Sequence, residues 1–84
     1  MMALKRLHAE VGEEPYGIFA RVEASEYRSD TVAAGYQITE RLRERGRSCC
    51  LEVETDVIVR IPLGDAPEKA FDEAADDMLE AASW

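Results

Sequence analysis

With 84 residues the chain has room for one domain and a thin core, because a chain of this size buries only somewhat over ~60% of the surface it exposes when unfolded. Eighteen Asp and Glu against ten Lys and Arg leave a net charge of −8, which disfavours direct binding of nucleic-acid phosphates and favours basic partners. An apolar share of 46% excludes bulk disorder, and no apolar run approaches the ~18 residues of a membrane span.

The start, MMALKRLHAEVGEEP, has a Lys-Arg pair but no long apolar stretch and no small-residue cleavage site. The expectation is a cytoplasmic protein without a leader. Residues 3–11 fit two patterns. Leu4, Leu7 and Val11 suit a helix, whereas Ala3, Leu7, Ala9 and Val11 suit one face of a strand. The strand is the preferred reading, with GEEP as the turn that follows. Residues 16–24 alternate, with Tyr16, Ile18, Ala20, Val22 and Ala24 on one face and Phe19 on the other. They predict a second strand.

Ser29 or Asp30 is placed to cap a helix that runs to Gly46, whose freedom at positive φ suits a helix stop. Val32, Gly35, Tyr36, Ile38, Thr39 and Leu42 share its expected inner side. Arg41, Arg43 and Arg45 crowd its last turns, where the helix dipole favours cations.

SCCLEVETDVIVRIPLG then alternates again. Cys49, Leu51, Val53, Val57, Val59 and Ile61 are apolar; Glu52, Glu54, Asp56 and Arg60 are charged. Fourteen residues are long for one strand. A hairpin with Glu54, Thr55 and Asp56 as its loop, Asp56 left-handed, keeps every apolar residue on one face. It sets Val53 against Val57, Leu51 against Val59 and Cys49 against Ile61. Pro62 and Gly64 stop the second strand. Asp65, Pro67 and Glu68 read as the cap and first turn of a second helix, with Phe71, Ala74, Ala75, Met78 and Ala82 as its apolar stripe and Leu79 at the edge. The whole predicts one α+β domain over residues 1–84, in the order ββαββα. Four mainly antiparallel strands carry both helices on one face; the alternative, with a helical start, is αβαββα.

No constellation points to chemistry. Adjacent cysteines on a strand project to opposite faces, so Cys49 and Cys50 cannot share one metal, and they lack CxxC spacing. Cys49 is expected in the core and Cys50 as a half-exposed thiol. His8, the only histidine, has no nucleophile or carboxylate motif around it. No metal, cofactor or catalytic residue is nominated.

The second helix carries the functional signal. Asp72, Glu73, Asp76, Asp77 and Glu80 fall on the face opposite Phe71 and Met78, with only Lys69 to offset them. Three like-charge pairs one turn apart (72–76, 76–80 and 73–77) cost about 0.2–0.5 kcal/mol each. Glu80 also lies near the negative end of the dipole. Helix stability alone would mix in lysines. Three readings compete: a solvated face of an acidic protein, a docking surface for a basic partner, and a divalent-cation site. The last is weak, because ligands on one helix face cannot wrap an ion. Lys5 and Lys69 are the only lysines, and many acids with few lysines also fit salt adaptation.

The favoured expectation is a small non-enzymatic protein that uses these carboxylates to occupy a basic, nucleic-acid-handling protein or nucleoprotein complex. Small acidic phage inhibitors of host defence, anti-CRISPR proteins among them, are similar in size and charge; the resemblance is one of composition and no motif carries it. The alternative is an assembly protein that forms a homodimer through its sheet edge or open sheet face, where Phe19, Ile58 and Cys50 would lie.

Overall fold

The period of two in the first part of the chain folds as a hairpin of strands β1 (His8–Glu14) and β2 (Gly17–Glu23). The structure, a computed structural model, describes residues 7–82, with backbone alone at position 82. The strand reading of the first segment therefore holds from His8, while Ala3 and Leu4 lie outside the described residues. The turn is not GEEP. Gly12, Glu13 and Glu14 stay in the strand, and Pro15 and Tyr16 make the turn. Proline's fixed φ suits the first turn position, and Gly12 stays in the sheet because the Phe19 ring lies over it from the next strand. Tyr16 is thus a turn residue, 83% exposed, and not part of the apolar face.

Helix α1 (Arg28–Glu44) follows. Its N-cap is Tyr27, without a side-chain cap bond, so neither Ser29 nor Asp30 caps it. The preceding loop explains the earlier start. The Ser25 hydroxyl accepts the Tyr27 N–H at 3.1 Å and donates to the Asp30 carboxylate at 3.1 Å, which secures the first turn from outside. Gly46 does supply the stop, at φ +78°. Its N–H reaches the Arg43 carbonyl and the Arg47 N–H reaches the Leu42 carbonyl, the paired bonds of a Schellman ending. On the inner side Ala34, Gly35, Ile38, Thr39 and Leu42 are buried, and the Thr39 hydroxyl is satisfied by the Gly35 and Tyr36 carbonyls. Tyr36 itself, expected inside, is exposed: with Gly35, Ile38, Thr39 and Leu42 turned to the core, position 36 lies about 100° around the helix from Gly35.

Strands β3 (Cys50–Val53) and β4 (Val57–Pro62) form the second hairpin in the expected register, Val53 opposite Val57 and Leu51 opposite Val59, across a loop of Glu54, Thr55 and Asp56. Two details differ. Cys49 precedes the strand, so it has no pairing with Ile61. Asp56 is not left-handed. The loop is held instead by the Arg28 guanidinium, which donates to the Glu54 and Thr55 carbonyls. The last helix, α2 (Pro67–Ala82), starts with Pro67 in its first turn. Asp65 does not cap it: Ala66 precedes Pro67 at φ +48°, and its carbonyl accepts the Ala70 N–H.

The sheet is wholly antiparallel in the order β1-β2-β4-β3. Both helices pack on one face of it, as the α+β reading requires. Ile18, Ala20 and Val22 of β2 and Val57, Val59 and Ile61 of β4 meet Ile38 and Leu42 of α1 and Phe71 and Met78 of α2 in a single core. Pro62 is tolerated because its pairing with Gly17 needs no N–H from it; the Leu63 N–H makes the adjacent bond, to the Tyr16 carbonyl at 2.7 Å.

Candidate protein-binding surface

Burying Ala70, Phe71, Ala74, Ala75 and Met78 fixes how α2 is rolled on the sheet. The opposite side of the helix then faces solvent, and it holds Asp72, Glu73, Asp76 and Glu80, all exposed. Asp77 lies at the border, half-buried, and pairs with Arg45 at the C-terminal cap of α1. The expectation that Lys69 alone offsets these carboxylates is corrected by that pair. Arg45 is 32 positions away, so no local pattern in the sequence reveals it. It removes part of the repulsion around Asp77, while Asp72, Glu73, Asp76 and Glu80 stay exposed. Successive carboxylates four residues apart are about 6 Å apart along the axis. No basic residue occupies the last turn of α2.

The acidic surface extends beyond the helix. Asp72 also lines an open groove of about 660 Å³ between the start of α2 and the β1–β2 turn. Ile18, Leu63 and Pro67 line it together with Glu13, Glu14, Glu68 and Lys69, and Glu14 is also paired with Arg60. Sequence reasoning missed Glu13 and Glu14 here, since only the hairpin brings them beside α2.

The other arginines near the end of α1 are each tied to a backbone carbonyl. Arg41 donates to the Gln37 carbonyl at 3.2 Å and Arg43 to the Cys49 carbonyl at 3.4 Å, while Arg47 reaches the Asp65 carbonyl. They tie the helix end to its surroundings as well as answering its dipole.

Phe19, Ile58 and Cys50 do lie on the open face of the sheet, as expected. They are interleaved with ion pairs. Arg21 pairs with Glu10 at 3.1 Å and with Asp56 at 3.6 Å; Arg60 pairs with Glu14 at 3.0 Å and with Glu52. The arginine stems cover part of the apolar area while their heads meet carboxylates, and Phe19 and Ile58 are left half-buried.

Cys49 is half-buried against the core, and its thiol donates to the Thr39 carbonyl at 3.6 Å. Burial pushes that thiol above its ordinary value of 9.0, against the opposing pull of Arg43. Cys50 is exposed on the opposite side. Among the described residues no group of three or more His, Cys, Asp or Glu is arranged to hold a metal ion, and no helix is long and apolar enough to cross a membrane. Compared with known protein families, curated proteins and solved structures, the chain matches none.

Proposed function

We propose that the protein is a non-enzymatic binding module that docks its acidic α2 face into a basic site of a nucleic-acid-handling partner. The observation that carries this reading is the row of Asp72, Glu73, Asp76 and Glu80, exposed along a helix whose other side is locked into the core. A rigid row of carboxylates at about one helical turn apart resembles the spacing of phosphates along a strand. It can therefore compete for an Arg- or Lys-lined groove, as a nucleic-acid-mimicking inhibitor of the phage anti-defence or anti-CRISPR type does. Glu13 and Glu68, which line the groove beside Asp72, support the reading by adding carboxylates at the start of the helix.

The test is the double charge reversal Asp72→Lys and Asp76→Lys. Both side chains are exposed, so the core is untouched. The wild-type and double-variant chains are used to capture partners from lysate at low and at high salt. Docking predicts a basic partner that is retained at low salt, lost at high salt, and lost to the double variant at unchanged melting temperature. Capture that survives the double reversal shows that α2 is a solvated face and overturns the proposal.

A further inference from the structure

β1 is an edge strand seven residues long, and one side of it has no neighbour among the described residues. Its phase is set by the hairpin. A two-residue turn closes on a pair that exchanges both hydrogen bonds, here Glu14 and Gly17. The bond from the Leu63 N–H to the Tyr16 carbonyl requires the same phase from the other side of β2. Gly12, Glu10 and His8 then also direct their backbone groups at β2. Ala9, Val11 and Glu13 direct theirs at the open edge. Val11, at the centre, is 40% exposed although it lies on the side of the sheet that carries the helices. α1 packs on β2, β3 and β4 and α2 on β2, so the helix layer does not cover this strand fully.

We infer that β1 pairs antiparallel with β1 of a second copy about a two-fold axis at Val11, joining two sheets into one of eight strands. The charges select both the occupant and the register. With Val11 opposite Val11 of the second copy, His8 faces Glu14, Ala9 faces Glu13 and Glu10 faces Gly12. Each glutamate thus meets a residue without negative charge, and the outward groups of Ala9, Val11 and Glu13 all find partners, making about six backbone hydrogen bonds. Sliding the strands by two residues either way keeps that phase but sets Glu10 against Glu10 or against Glu14 of the second copy, where like charges oppose. The other edge, β3, has only four residues. The two-fold axis runs through the sheet, so all four helices lie on the same side and the acidic faces of both α2 helices share one surface. That surface raises the cost of pairing at low salt, and the pairing strengthens as salt screens it.

The mass of the full chain in solution tests this by sedimentation equilibrium at about 100 µM protein, in low salt and in about 0.5 M salt. The expected result is a species of twice the 9.4 kDa chain mass, favoured by salt. Val11→Glu, which sets like charges together at the axis, is expected to weaken self-association at least about tenfold with unchanged circular dichroism. In a Cys50→Ser background, Val11→Cys is expected to form an intermolecular disulfide on oxidation and Ala9→Cys is not, because equivalent residues meet only at position 11. A monomer at high salt, a dimer indifferent to Val11→Glu, or cross-linking at position 9 as readily as at 11 overturns the inference. Because partner docking weakens with salt and self-pairing strengthens, failure of one is distinguishable from failure of the other.

Discussion

Gly17 sits where two strands come closest. A Cβ there would lie well inside contact distance of the Ile61 carbonyl oxygen and 2.8 Å from the Pro62 Cα. Both obstacles are backbone, so nothing can swing aside and β2 must part from β4. Gly17→Ala is expected to cost about 3 kcal/mol, read as a fall of more than about ten degrees in melting temperature. Gly12→Ala meets only the tip of the Phe19 side chain, which can turn into solvent, and its cost should be smaller. The cysteines differ in a way that pH reveals. Burial holds the Cys49 thiol above 9.0, so the folded state keeps this proton after the unfolded chain has released it. Its contribution to stability is complete at neutral pH and falls as pH rises past about 9. Cys49→Ser should flatten that part of the pH–stability curve, measured by urea melts. It should cost little at neutral pH, since the hydroxyl inherits the Thr39 carbonyl. In alkylation at neutral pH, exposed Cys50 should react well before Cys49.

α2 is an element in which stability and surface chemistry pull apart. Its core face is well formed, yet its start is strained: Ala66, ahead of Pro67, sits at φ +48°, where a side chain costs about 1–2 kcal/mol. Glycine removes that cost and returns part of the gain through the greater freedom of the unfolded chain. Ala66→Gly should therefore stabilise the protein by about 0.5–1 kcal/mol in urea or thermal melts. The acidic face adds a second cost on the order of 1 kcal/mol, reduced where Asp77 meets Arg45. Asp72→Lys with Asp76→Lys turns the 76–80 repulsion into an attraction and exchanges the 72–76 Asp–Asp repulsion for a Lys–Lys one. Melting temperature should hold or rise slightly, which makes the variant a clean probe of binding.

For the molecule as a whole, the net charge of −8 acts against compaction. Its ion pairs are mostly solvent-exposed and are worth at most about 1 kcal/mol each, with many near zero. Screening the excess charge therefore outweighs loosening those pairs. Between low salt and about 0.5 M salt the stability of the chain should rise by about 1 kcal/mol, or several degrees. A melting temperature that falls with salt would show that the ion pairs on the open sheet face, around Arg21 and Arg60, dominate instead.

Much of this architecture was already legible in local pattern. The alternation of Leu51 and Val53 with charged neighbours set the second hairpin's register, because a slip of one residue would turn Arg60 into the core. The apolar spacing from Phe71 to Met78 set the roll of α2, and with it which carboxylates face solvent. These outcomes depend on periods of 2 and 3.6 residues, which a short stretch carries by itself. Contacts between distant segments decided the rest. The Phe19 ring lies over Gly12 within the sheet, the roll of α1 on the sheet at Gly35 left Tyr36 outside, and Arg45 claimed Asp77 from another helix. That β1 is an edge strand among the described residues likewise follows from strand order, which no single segment encodes. Such choices come from which surfaces meet after collapse, where close approach and charge pairing outweigh local propensity.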